Sequence, residues 1–264
     1  DPHRIDELYK LSAHIQLLVS MTAKMPKKLE IAIFRHYDHL KRKTSREVNV
    51  AVRSSAYSED VKGLSFAGQY RSELNVRPEN ISQAYKNVVA SKYSLQAMNY
   101  RFNRGLRDED IPMSVGCMAM IDAVSGGVAY SRNPVNIRDN SLIVHSAWGL
   151  PKSVVNGTGP ADRFGISRET VLSIKWRDIS FKQRECVPCW PEGVAYRDLP
   201  PEACPSSSLT DEQVLKIAQL ALDLESHAGT PQDVEWALDR SGSLVLLQSR
   251  PLQLVSGKKR KGEL

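Results

Sequence analysis

The sequence predicts an α+β fold with mainly antiparallel sheets behind an N-terminal run of helices. Three observations carry this. Residues of about 4–43 repeat apolar side chains at three- and four-residue steps, the helical period. From about residue 113 to residue 179, short β-type runs alternate with turn residues, as in hairpins. Two further β-type runs, 234–238 and 244–249, flank the polar connection Asp239-Arg-Ser-Gly-Ser243. Hairpins outnumber strand–helix–strand units, which argues against a doubly wound sheet.

The elements follow in order. Leu8, Leu11, Ile15 and Leu18 form one helical stripe, Pro26 interrupts it, and Leu29, Ile33 and Tyr37 resume the step. Residues 48–52 (Val-Asn-Val-Ala-Val) make a short strand that ends in Arg53-Ser54-Ser55. A loop with Gly63 and Gly68 leads to a strand at 73–76. Residues 80–103 read as one helix with Ile81, Ala84, Tyr85, Val88 and Val89 inward. Residues 113–121 are strand-like, Ser125-Gly126-Gly127 is a turn, and 128–130, 141–147 and parts of 164–179 are strands. Residues 184–209, rich in Pro, Ser and Cys, read as an irregular insertion. Thr210 caps a helix to about His227, with Gln213 as its capping-box partner, and Gly229 and Pro231 stop it.

Composition narrows the function classes. With 264 residues, 41% of them apolar, the chain can bury the core of one two-lobed domain or two small ones. No apolar run approaches the ~20 residues of a membrane span. The charged start Asp1-Pro2-His3-Arg4 does not resemble a signal peptide, and a first residue other than Met suggests a piece of a longer protein. The net charge is +6, and seven of the basic residues sit in the runs 41–43 and 258–261. A positive balance suits anionic ligands. The run at 258–261 reads as a solvated tail or linker, so nucleic acid is not an expected partner. Cys186-Val-Pro-Cys189 lacks the second pair a zinc site needs, with only Cys204 nearby. Sparse cysteine without an export signal places the protein in the cytoplasm.

The C-terminal hairpin carries the candidate chemistry. Alternation puts Asp233 and Glu235 on one strand face, and Gln248 and Arg250 on one face of the partner strand. Two carboxylates, an amide and a guanidinium suit Mg²⁺ with polyphosphate: hard oxygens hold the ion and the cation grips a phosphate. A solvated face with a surface ion pair is the competing reading, and spacing alone does not displace it. Arg53 beside two hydroxyls at a strand end can clamp a phosphate, or can simply cap a loop. Phe66-Ala67-Gly68-Gln69 has the small residues that let backbone N–H groups approach an anion.

Five blocks, in order over residues of about 48–251, resemble one family. Ala51-Val-Arg-Ser-Ser-Ala56 with Glu59-Asp60, then Ser65-Phe-Ala-Gly-Gln69 and Leu74-Asn-Val76, resemble the first signature of the phosphoenolpyruvate synthase/pyruvate phosphate dikinase ATP-binding domain. Gly126-Gly-Val-Ala-Tyr-Ser131 with Asn133-Pro134 is similar to its "GV-x-F-T…P" segment. Ala147-Trp-Gly-Leu150 with Val154-Val-Asn-Gly157 and Asp162 resembles "W-G-L-G-E…V-V-x-G…P-D". Pro231-Gln-Asp-Val-Glu-Trp-Ala237 and Leu246-Leu-Gln-Ser-Arg-Pro251 resemble "P-x-D-I-E-W-A…L-Q-x-R-P".

The resemblance implies an ATP-grasp fold with ATP between two lobes. It implies an N-terminal helical segment at 1–44, a first lobe at 45–119, a second lobe at 120–254 with the insertion at about 184–209, and a basic tail or linker at 255–264. It assigns Arg53, Gln248 and Arg250 to phosphates, and Asp233 and Glu235, with Gln248, to Mg²⁺ and the nucleotide. Arg53, Glu235 and Arg250 become the catalytic candidates. The loop of Gly68 and Gln69 would close over the triphosphate, and the backbone of Met120-Ile121 would bind adenine. The implied activity is that of a dikinase with paired acceptors, pyruvate and water or phosphate. ATP's β-phosphoryl goes to a histidine on a separate domain, and a barrel domain passes it to pyruvate. Departures from the pattern leave two alternatives open: the same module serving another acceptor, such as an antibiotic or a glucan, and a degenerate non-catalytic nucleotide-binding or regulatory domain. The family's "G-G-K" has no counterpart, its "G-L-G-E" glutamate is Lys152 after Pro151, its "Q" before the linker is Met118, and its "D-T" is Arg71-Ser72.

Overall fold

Helix α1 (Pro2–Leu17) runs into one π turn (Leu18–Thr22), and Pro26 separates it from α2 (Lys27–Thr44), as the broken apolar stripe requires. The structure is a computed structural model and describes residues 2–44, 47–56, 70–136 and 138–253. Contacts divide it into two units, Asp1–Ile121 with Pro188–Ala195, and Asp122–Val187 with Tyr196–Leu264.

The first unit holds a three-stranded antiparallel sheet of β1 (Val50–Ala56), β2 (Ser72–Val76) and β3 (Met113–Ala119), with β1 in the middle. Val50 and Val52 face inward and pack with Val76, Tyr37 of α2 and Ile81, Ala84 and Val88 of α3 (Ile81–Ser91). Strand β1 is longer than the sequence suggested, because its pairing with β3 continues to Ala56 opposite Met113. Arg53 therefore lies mid-strand and does not end it. The single helix expected over 80–103 is two. Ser94 leaves the helical conformation at ψ 148°, and its hydroxyl accepts from the Ala97 amide at 3.2 Å to cap α4 (Leu95–Asn103).

The second unit is built on a six-stranded antiparallel sheet. Its members are β4 (Ala123–Tyr130), β5 (Ser141–Trp148), β6 (Asp162–Ser167), β7 (Ile174–Asp178), β10 (Gln232–Asp239) and β11 (Leu244–Pro251). They lie in the order β11-β10-β4-β5-β6-β7, with the short α5 (Lys152–Val155) after β5. Helix α6 (Asp211–Ala228) covers one face. Its Val214, Ile217, Ala218 and Ala221 bury against Val234 and Trp236 of β10, Ala129 of β4, Leu142 and Val144 of β5 and Phe164 and Ile166 of β6. Burying each large aliphatic here contributes about 1.5–3 kcal/mol. The expected capping box is present: the Gln213 amide donates to Thr210 Oγ1 at 3.2 Å and the Thr210 amide to Gln213 Oε1 at 2.9 Å. Gly229, at φ 69°, ends the helix.

Two further expectations are corrected. Ser125-Gly126-Gly127 is not a turn but the middle of β4. A Cβ on Gly127 would stand 1.8 Å from the His145 carbonyl oxygen and 2.9 Å from the Trp236 indole, and one on Gly126 would strike Pro151. The glycines are there for close approach, not for chain reversal. Residues 184–209 are not wholly irregular: β8 (Arg184–Pro188) and β9 (Val194–Asp198) pair as a hairpin. The chain before and after this hairpin is tied to the start of β6. Buried Asp162 accepts from the amides of Ser180 (3.0 Å) and Ser208 (2.8 Å) and from the Ser208 hydroxyl (2.7 Å), and it pairs with buried Lys182.

Candidate functional site

The strand register builds the site on the face of the six-stranded sheet opposite α6. Asp233 lies across from Arg250, and Glu235 across from Gln248. On the other side of β10, Asp233 lies beside Tyr130 and Glu235 beside Val128. Continuing across β5 and β6, the first row adds Ile143 and Gly165, and the second adds His145 and Arg163. Both polar pairs share one regular register; an irregularity after Glu235 then shifts it, so Trp236 faces Leu246. Pro151, just before α5, sits over Gly126 at one end of this face.

The electrostatics are those of a half-buried carboxylate held by one cation. Arg250 donates to a single oxygen of Asp233, Oδ2, through Nε at 3.0 Å and Nη2 at 2.8 Å. Asp233 Oδ1 is buried with no hydrogen-bond partner. Burial raises the Asp233 carboxyl above its ordinary value, with Arg250 opposing and Glu235 adding to the rise. Glu235 is only 4% exposed. The Tyr130 hydroxyl is raised, first by burial and then by the Asp233 charge. The His145 imidazole is lowered, first by burial and then by Arg163.

The structure brings Asp233, Glu235, Gln248 and Arg250 together within the second unit. Arg53, Met120 and Ile121 belong to the first. Arg53 shares a strand face with Ala51, away from the Val50 and Val52 core, and lies opposite Gly116. Met120 and Ile121 follow β3 outside regular secondary structure, and the Met120 amide already donates to the Asn49 carbonyl at 2.8 Å. That amide is therefore already occupied. Gly68 and Gln69 lie outside the described residues. Sequence reasoning did not place Tyr130 or His145 in the site. Only the register, which no local pattern encodes, puts them on the same face.

The family described as pyruvate phosphate dikinase, AMP/ATP-binding domain, matches residues 1–263. The chain belongs to this family. It is 31% identical over 264 residues to the probable phosphoenolpyruvate synthase of Methanocaldococcus jannaschii, covering 99% of this chain and 22% of the relative. It is 34% identical over 259 residues to the phosphoenolpyruvate synthase of Escherichia coli K12, covering 94% and 32% respectively. For the phosphoenolpyruvate synthase of Pyrococcus furiosus the figures are 32% identity over 237 residues, 86% and 29%. The chain thus spans about a fifth to a third of the length of these relatives. No described helix is long and apolar enough to cross a membrane.

Proposed function

We propose that this chain is the ATP-binding module of a phosphoenolpyruvate synthase-like dikinase, an ATP-grasp fold whose lobes correspond to the two units. The triphosphate would lie on the sheet face opposite α6. Its β-phosphoryl would pass to a histidine on a separate domain, and a barrel domain would then phosphorylate pyruvate. The observation that carries the reading is the register-matched quartet of Asp233 with Arg250 and Glu235 with Gln248, set on one half-buried face.

Mg²⁺ fits these residues. It takes one or two carboxylates and completes its shell with phosphate oxygens and water. Asp233 Oδ1 is a buried acceptor without a partner, on a carboxyl whose burial calls for added positive charge. Asp233 and Glu235, with Gln248, would hold the ion. When bound, it neutralises charge on the transferring phosphoryl group. Arg250 is oriented by Asp233 and would bind a phosphate oxygen. The protein's own task is positioning and charge neutralisation, since phosphoryl transfer asks little covalent chemistry of it.

Calorimetric titration with ATP, with and without Mg²⁺, tests this. Without a Gly-Gly-Lys phosphate contact, binding by the chain should be weak, since one charge-assisted hydrogen bond is worth about a ten- to hundredfold in affinity. It should strengthen with Mg²⁺, and Asp233→Asn should remove that gain. Metal-independent binding unchanged by Asp233→Asn would contradict the proposal, and tight low-micromolar binding would contradict the account of the missing contact.

A further inference from the structure

We propose that His145 is a specificity contact for the ribose hydroxyls of the bound nucleotide. The inference rests on the ATP reading above and deepens it. His145 stands in the same register row as Glu235 and Gln248, with Val128 between. Two inter-strand steps put it about 10 Å from Glu235 along the sheet, comparable to the reach from the outer phosphates of a nucleoside triphosphate to its sugar. The ring is held: Tyr130, beside Asp233 in the neighbouring row, meets it edge-on, with centroids 5.8 Å apart and planes at 89°. No protein hydrogen bond engages the imidazole among the described residues, and neither ring nitrogen is a buried orphan. Arg163, its neighbour in the same row, is occupied in an ion pair with Asp178.

The chemistry selects hydroxyls over phosphates. Burial first, and then the nearby Arg163, lower the imidazole below its ordinary value, which favours the neutral ring. A neutral imidazole offers one donor and one acceptor, which matches a hydroxyl that both gives and takes a hydrogen bond. A phosphate oxygen only accepts and is better served by Arg250.

The test is a cycle between side chain and ligand, run on the whole chain with Mg²⁺ by calorimetry or displacement at millimolar nucleotide. ATP, 2′-deoxy-ATP and 3′-deoxy-ATP are compared on wild type, His145→Ala and His145→Asn, with melting temperatures as the folding control. Wild type should prefer ATP over at least one deoxy analogue by about 3- to 10-fold. His145→Ala should lose that preference by weakening ATP alone, and His145→Asn, which keeps a donor and an acceptor, should retain part of it. An unchanged ATP-to-deoxy ratio in folded His145→Ala overturns the inference while leaving the ATP reading intact. Wild-type protein that binds no ATP overturns both.

Discussion

Arg250 grips Asp233 by one oxygen only: Nε and Nη2 both donate to Oδ2, at 3.0 and 2.8 Å, and Oδ1 is left buried without a partner. A guanidinium in a structural ion pair commonly forks across both oxygens. This arrangement leaves one carboxylate oxygen for something else.

The pH dependence of Asp233 follows from its burial. Its folded value lies above the unfolded 3.8. Between the two values the folded state binds more protons, so the group's contribution to stability grows as pH falls through the folded value and is lost as pH rises above it. In metal-free buffer, Asp233→Asn should therefore keep or raise stability at neutral pH and flatten this part of the pH profile. Chemical denaturation from pH 3 to 8 measures it. A large loss at neutral pH would make Asp233 a scaffold residue.

Glu225 behaves in the opposite sense. Arg168 donates to both of its oxygens at 2.8 Å, joining the end of β6 to α6 in a pair only 13% and 17% exposed. That hydrogen bonding lowers the Glu225 carboxyl below its ordinary value. Its contribution is present above the unfolded 4.5 and is lost as pH falls through the folded value. Glu225→Gln should cost about 1–3 kcal/mol at pH 7 and remove that acid-side loss. Equal stability of variant and wild type at pH 7 would show the pair contributes nothing.

Two glycines test the corrected reading of β4. Gly127→Ala drives a Cβ into the His145 carbonyl and should cost several kcal/mol or abolish folding of the second unit. Gly157→Ala, at φ 62° with open space around it, should cost only about 1–2 kcal/mol. A mild Gly127→Ala variant, measured by thermal melting, would favour the turn first expected there.

What was legible in the sequence was local. Thr210 and Gln213 sit three apart and cap their own helix, and β10 and β11 are neighbouring β-type runs joined by the short polar connection 239–243, so their pairing followed. What was not legible depends on distant chain. Gly126-Gly127 reads as a turn until Pro151 and Trp236 are known to pack there. Arg53 seemed to end a strand because Ser54 and Ser55 are poor core residues, yet β3 supplies their partners. Hairpin β8–β9 was hidden by Pro and Cys in its sequence. Within the candidate site, the carboxylates were visible from their spacing, whereas Tyr130 and His145 enter only through the registers of β4 and β5.

The central claim is that the Asp233–Glu235 face handles the phosphates of ATP, and Glu235→Gln tests it most directly. The substitution keeps the shape of a side chain that is 4% exposed and sits opposite Gln248, removing only the charge. In the multidomain dikinase proposed to carry this chain, turnover and melting temperature should be measured on the same preparation. The account predicts a fall in phosphoryl transfer by orders of magnitude with little change in melting temperature. Stable Glu235→Gln protein with wild-type turnover would contradict it.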